Sequence, residues 1–260
     1  DKGILDTAAL LEKAGIAYAG VYTSDNRTVK PIVLQSAGQK AIILNYCEHE
    51  FSVRDKGVSA VGFHPVDAYN DIQSFRDEAD YIVVVYHGGN EYYNLPSPNL
   101  QKELRFLIDA GADAVICHHT HVFSGMEYYK AKPIVYGLGN FFFPYPDEPD
   151  SWHNGLLCVL ELVDAPKAEL HPIEQCRNGY SVTLHEGEKR DVILKEIEHL
   201  SGIITDSDAL QQAWDEYVTS LQKGAIKNIM HMSKWQRLQI KLGKKPAEIV
   251  DESALLQTYL

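Results

Sequence analysis

The apolar positions along this chain change period several times, and each change predicts an element. Leu5 to Ala14 carries apolar residues at helical spacing and stops at Gly15, which predicts an amphipathic helix. Short apolar stretches at Ala17–Tyr22, Pro31–Gln35 and Ala41–Tyr46 predict strands. Glu48 to Pro65 has no clear period and predicts a loop, and Val66 to Glu78 predicts a helix. Two apolar runs follow, Tyr81–Tyr86 and Ala114–Cys117, with a helical segment from Asn99 to Ala110 between them. Strand, helix, strand in this order gives parallel neighbours through a right-handed crossover. Pro133–Tyr136 predicts one more strand, ending in Gly137-Leu138-Gly139-Asn140.

Beyond the proline-rich stretch Phe143–Asp150, the segments Leu156–Val163, Ala168–Ile173 and Tyr180–Leu184 alternate as antiparallel strands do. The character changes near Glu186. Helical patterns then run near Arg190–Leu200, Ser207–Leu221, Ile226–Leu242 and Ala247–Tyr259, with Gly243 and Pro246 marking a break before the last. The organisation expected is an α/β domain over residues 1–185 and a helical region over 186–260.

Composition narrows the function classes. A formal net charge of −12 argues against a nucleic-acid-binding or anionic-membrane surface. The local basic run Lys234 to Lys245, with Arg237, Lys241 and Lys244, reads as a solvated helix face. Cys47, Cys117, Cys158 and Cys176 are widely spaced and contain no CxxC pair, so free thiols are expected rather than a disulfide framework. No apolar run approaches the roughly 18 residues that a membrane-spanning helix needs.

The candidate chemistry sits where the two apolar runs end. Tyr81–Tyr86 breaks into His87-Gly88-Gly89-Asn90-Glu91, and Ala114–Cys117 breaks into His118-His119-Thr120-His121. Parallel neighbours are about 5 Å apart and end on one rim, where α/β proteins bind their ligands. His87, His119 and His121 are therefore expected to face one cleft and to ligate metal, imidazole being a ready ligand for divalent transition ions. His118 alternates away from the cleft and reads as structural, and Thr120 as shaping the turn. Glu91, four residues after His87, can serve as a ligand, as an acceptor behind a ligand or as a substrate contact. Asn140 is a weaker catalytic candidate, because the glycines beside it explain a tight turn on their own. His49, His64, His153, His171, His185, His199 and His231 read as structural or surface residues, and Phe141–Phe143 as core. There is no P-loop, no GxSxG elbow and no GxGxxG fingerprint.

Three blocks in this order are distinctive: Asp80 to Tyr92, the run GADAVICHHTHV, and IVYGLGNFFF. Together they resemble the bacterial capsule-synthesis family of the CapA type, linked to poly-gamma-glutamate, within the calcineurin-like metallophosphoesterase superfamily. The resemblance covers roughly Asp1 to Leu184. Two positions depart from it: the family usually has tryptophan where Gly88 stands and proline where Thr120 stands. The family also carries Gly-Asp, acidic and Asn-His motifs before a segment like DKGILDTAALLEKAGIAYAGVY, with which this chain begins. The bridging aspartate, the asparagine ligand and the general-acid histidine of the family are thus expected to be absent from these 260 residues, either because the chain is a fragment or because the site is only half built here.

The resemblance implies a metallophosphoesterase-like sandwich of β-sheets flanked by helices, with a C-terminal helical appendage. It also implies two divalent ions of zinc, manganese or iron, with His87 and His119 on one and His121 on the other. The activity implied is hydrolysis of a phosphorylated small molecule or polymer precursor, in a capsule-synthesis complex, in the cytoplasm or at the membrane of a bacterium. Two alternatives stay open. One is a non-catalytic metal-binding or scaffold member of a polymer synthesis or export complex. The other is a zinc amidohydrolase, which also uses HxH but on a barrel of about 250 residues.

Overall fold

A computed structural model describes residues 2–24, 27–49, 57–145 and 148–231. In chain order the elements are α1 (Lys2–Lys13), β1 (Val21–Tyr22), β2 (Ile32–Ser36), β3 (Gln39–Cys47), β4 (Ser59–Ala60), α2 (Pro65–Arg76), β5 (Tyr81–His87), α3 (Pro98–Asp109) and β6 (Ala114–His118). They continue with β7 (Met126–Tyr129), β8 (Lys132–Val135), α4 (Asp150–His153), β9 (Asn154–Glu161), β10 (Lys167–Gln175), β11 (Val182–Leu184), α5 (Gly187–Thr205) and α6 (Ser207–His231). Asp1–Leu210 forms one compact unit and Gln211–Leu260 a second. The helical character begins at α5 as expected, and α5 lies inside the first unit.

The first unit is built on a six-stranded sheet in the order β2-β3-β5-β6-β8-β7. Its four central strands, β3, β5, β6 and β8, are mutually parallel, and β2 and β7 pair antiparallel at the two edges. The expected crossover is present. Strands buried on both faces are apolar throughout rather than alternating, and Ile82, Val84, Ala114 and Val115 are indeed fully buried. Helices α2 and α3 pack against this sheet. Helix α3 starts at Ser97, whose Oγ accepts from the Leu100 N–H, with Pro98 in its first turn. Leu100, Leu104, Leu107 and Ile108 form its buried stripe.

Strands β9, β10 and β11 form a separate antiparallel sheet, as their alternation predicts. Helix α5 packs against β7 and β10 through Ile193, Ile197, Leu200 and Ile204. The Gln101 amide on α3 donates to the Ile204 carbonyl at 2.6 Å, which ties the end of α5 to α3. Among the described residues no helix is long and apolar enough to cross a membrane.

Several expectations are corrected. The six-stranded sheet is open, with β2 and β7 at its edges, so the closed parallel barrel of an amidohydrolase is not this architecture. Ala17–Tyr22 contributes only the two-residue β1, preceded by Gly20 at φ +87. Strand β7 has no counterpart in the sequence reading. Its hairpin turns on Lys130 and Ala131, both left-handed at φ 51 and 63, where Asn-Gly is the usual signal. Ser207–Leu221 and the start of Ile226–Leu242 are one continuous helix, because Gly224 is tolerated within α6. The remainder of that segment, the basic run Lys234 to Lys245 and Ala247–Tyr259 lie outside the described residues. All four cysteines are free thiols, with Cys117 and Cys176 buried.

Candidate metal centre at the carboxyl rim

Parallel pairing fixes where the site lies. Cys47 is level with His87, and His87 with His118, so β3, β5 and β6 end together. The loops beyond them are stitched by main-chain bonds: Gly88 N–H to His118 O at 3.0 Å, Glu48 N–H to His87 O at 3.0 Å, and Tyr92 N–H to Thr120 O at 2.8 Å. Thr120 shapes its turn as expected, its hydroxyl donating to the Val122 carbonyl at 2.8 Å.

The three histidines meet. His87 and His119 have ring centres 4.8 Å apart, and those of His119 and His121 are 6.1 Å apart. His119 is buried, and burial first, then His87 and His121, pushes its pKa down to about 4. His87 sits at the exposed lip of β5; desolvation and then His121 hold its pKa below the usual value. Imidazoles kept neutral in this way retain a lone pair for a ligand. His118 pairs with His87 along the strands, and its pKa is lowered by burial and by His87.

Asn140 fixes the tautomer of His121. Its amide nitrogen donates to the carbonyls of His121 at 3.3 Å and Trp152 at 3.2 Å. Its Oδ1 therefore faces His121 Nδ1, at 2.8 Å, and accepts the proton there. That leaves the lone pair on His121 Nε2, which looks toward Glu91 Oε1 at 3.7 Å. Asn140 thus stands behind His121 as a positioning residue. Gly139, at φ +66, allows the turn: a side chain there would meet the Asn154 carbonyl at 3.0 Å.

Sequence reasoning missed two neighbours. Trp152, carried in by α4, stacks on His121 with ring centres 4.8 Å apart and is almost fully buried. Glu48 lies 3.4 Å from His119 Nε2. Its signal was available, since it follows a strand that ends level with His87. The expectation for Phe141–Phe143 is corrected. All three are exposed, because the chain leaves the sheet at Asn140, and Phe143 lies against His121 and Trp152 at 5.6 and 4.9 Å. His153 is structural, as expected, its Nδ1 bonded to the Gln175 carbonyl at 3.0 Å.

The model of the family described as bacterial capsule synthesis protein PGA_cap matches residues 1–145. The chain belongs to this family. It is 31% identical over 150 residues to the capsule biosynthesis protein CapA of Bacillus anthracis, a match covering 55% of this chain and 36% of that one. To the PGA biosynthesis protein CapA of Bacillus subtilis (strain 168) it is 42% identical over 72 residues, 28% of this chain and 19% of that one. The matched regions thus span about a third or less of the length of these curated relatives. Among solved structures the chain is similar to a hypothetical protein from Thermus thermophilus, at a TM-score of 0.38 and 14% identity over 63% of this chain and 66% of that one.

The PGA_cap turn at Asn140 gives a direct test of how His121 is oriented. Asn140→Ala removes the acceptor from Nδ1 and frees the imidazole to change tautomer. Loss of such a partner weakens metal binding by about 10–100-fold. Calorimetric titration with zinc is expected to show that drop, whereas unchanged affinity would mean that Trp152 stacking alone holds the ring.

Proposed function

We propose that this chain carries the histidine part of a divalent-metal phosphoesterase site, acting on a phosphorylated small molecule or polymer precursor in capsule or poly-gamma-glutamate biosynthesis. The observation that carries the reading is at His121. Asn140 Oδ1 takes the Nδ1 side of its ring, so Nε2 is the nitrogen turned to the rim, where the Glu91 carboxylate oxygen lies 3.7 Å away. A divalent cation between an imidazole nitrogen and a carboxylate suits that arrangement.

The donor set fits transition ions. With metal–nitrogen bonds of about 2.0–2.1 Å, two imidazoles on one ion have ring centres about 5 Å apart, and His87 and His119 are at 4.8 Å. His87 and His119 would hold one ion and His121 a second, with Glu91 beside it. Zinc, manganese and iron all suit imidazole and carboxylate donors. The chemistry that such ions supply when bound is Lewis-acid activation of water and neutralisation of phosphoryl charge. This chain's part is to orient the donors. Asn140 keeps the His121 proton on Nδ1, buried His119 stays neutral, and Trp152 with Phe143 shields one flank of His121 from water.

The test is turnover of p-nitrophenyl phosphate and bis(p-nitrophenyl) phosphate by the chain with manganese or zinc. Release of nitrophenol that stops in EDTA and falls to background in His121→Ala is expected. A chain that binds these metals yet hydrolyses neither ester would instead favour the non-catalytic scaffold reading.

A further inference from the structure

Two exposed aromatic rings border His121, and buried or main-chain groups hold both in place. The ring centres of Tyr92 and Phe143 lie 6.0 and 5.6 Å from that of His121. Tyr92 sits at φ 60, a left-handed conformation that residues with a side chain seldom adopt. Its N–H donates to the Thr120 carbonyl at 2.8 Å, which pins it to the histidine loop. Phe143 is held by Gln175, a fully buried residue whose Oε1 accepts from the Phe143 N–H at 2.7 Å. Gln175 Nε2 donates to the Trp152 carbonyl at 3.0 Å, and Trp152 Nε1 donates to the Phe143 carbonyl at 3.2 Å. A strained residue and a buried amide are thus used to present two rings to solvent, and strain of this kind collects where ligands are held.

The wall has a defined shape and polarity. The planes of Tyr92, His121 and Trp152 are within 36° of one another, so the wall is close to flat beside the imidazole. An aromatic face carries partial negative charge and attracts polarised C–H groups laid against it. Carboxylates stand at its edge. Glu91 reaches His121 at 3.7 Å, and burial first, then Glu148 and Glu91, raises the pKa of the Tyr92 hydroxyl. Ionised carboxylates only accept hydrogen bonds, so a ligand seated here must bring donors around its rim. A sugar ring has both parts, a C–H face and a fringe of hydroxyl donors. A nucleobase has the flat face but few donors.

We propose that Tyr92 and Phe143 form a sugar-binding wall, which makes the substrate class of the site a glycosyl phosphate. The inference rests on the phosphoester reading above. The sugar ring lies on the two aromatic faces with its hydroxyls toward Glu91 and Glu148, and its phosphate points to the histidines.

The experiment is calorimetric titration of the zinc-incubated chain with three phosphonates that have no ester bond to cleave. They are the phosphonate analogue of glucose 1-phosphate, the phosphonate analogue of adenosine monophosphate, and methylphosphonate. The glucosyl compound is expected to bind about tenfold more tightly than methylphosphonate, two ring contacts at a few-fold each. Tyr92→Ala and Phe143→Ala, both at exposed rings, are each expected to cut that ratio by about threefold, while Tyr92→Phe, which keeps the ring, preserves it. Circular dichroism checks that each variant keeps the parental fold. Equal binding of the glucosyl compound and methylphosphonate, or a ratio that neither alanine variant moves, overturns the inference and leaves the phosphoester reading standing. Tightest binding of the adenosine compound, lost in the alanine variants, assigns the wall to a base and overturns it too. A chain that binds none of the three overturns the phosphoester reading, and the sugar wall falls with it.

Discussion

His119→Ala is expected to abolish metal binding at the His87 side, and His119→Gly to do the same in a measurably more stable apoprotein. His119 sits at φ 106, a left-handed conformation that residues with a Cβ rarely adopt, and His121 follows at φ 59. Such strain costs about 1–3 kcal/mol per residue and is kept where the surroundings impose it. Both substitutions delete the same imidazole and its contact with His87, so their difference isolates the backbone. Glycine ordinarily destabilises an ordered segment relative to alanine by about 0.5–1 kcal/mol; here relief of about 1–3 kcal/mol of strain outweighs that, leaving a net of up to about 2 kcal/mol in favour of glycine. Urea unfolding in EDTA measures it. An alanine variant as stable as the glycine variant would mean that the turn carries no strain.

Asp113→Ala is expected to be the most destabilising single change away from the site. Asp113 Oδ2 accepts from the Arg76 guanidinium at 2.7 Å and from the Ile82 N–H at 2.8 Å, and Oδ1 lies 2.9 Å from Lys132 Nζ. One carboxylate thus joins α2, β5 and β8 beneath the sheet that carries the histidines. Burial pushes its pKa up, but the bonds from Arg76, Ile82 and Lys132 outweigh that and leave it below the ordinary value. The pair is part-buried and Arg76 keeps other acceptors, so the cost lies below the roughly 3–5 kcal/mol of a fully buried pair. The sign of the pH dependence follows. With a folded pKa lower than the unfolded one, about 3.9, the carboxylate stabilises fully above that pH. The contribution is lost as pH falls through the folded value. Thermal unfolding at pH 7 should show a large drop in Tm for Asp113→Ala, and the gap should shrink in acid. A variant with the parental Tm would show the three elements to be held by packing alone.

What was legible in the sequence is what depends on contiguous residues. Tyr81–His87 and Ala114–His118 each spell a buried strand and its terminal histidine in one run, and the helix between them sets the strands parallel. From that, the meeting of His87, His119 and His121 follows by register. What was not legible depends on chain reversals and distant returns. Trp152 reaches His121 only because β9 begins beside Asn140, where Gly155 admits the Asn140 carbonyl so closely that a Cβ would lie 2.2 Å from it. Glu48 sat in a stretch without period, although the end of β3 marks its level on the rim. The strand β7 was hidden by the Lys130-Ala131 turn. Phe141–Phe143 have the composition of core but follow the last residue tied to the sheet, and so face outward.

The exposed aromatics have a consequence for the site. Phe143 and Tyr92 border His121 at 5.6 and 6.0 Å, with Trp152 beneath. Two kinds of surface therefore meet at the rim: polar donors from the ends of β3, β5 and β6, and an aromatic wall of Tyr92 from the loop after β5 with Phe143 and Trp152 from the segment after β8. This suits a site where charge is handled on one side and water is kept from the other.

The measurement that bears most directly on the account is metal per chain, by elemental analysis after incubation with zinc or manganese and removal of excess. About two ions per chain are predicted for the parent, with at least one lost in His119→Ala and in His121→Ala. A parent chain that folds and retains no metal would contradict the account at its centre.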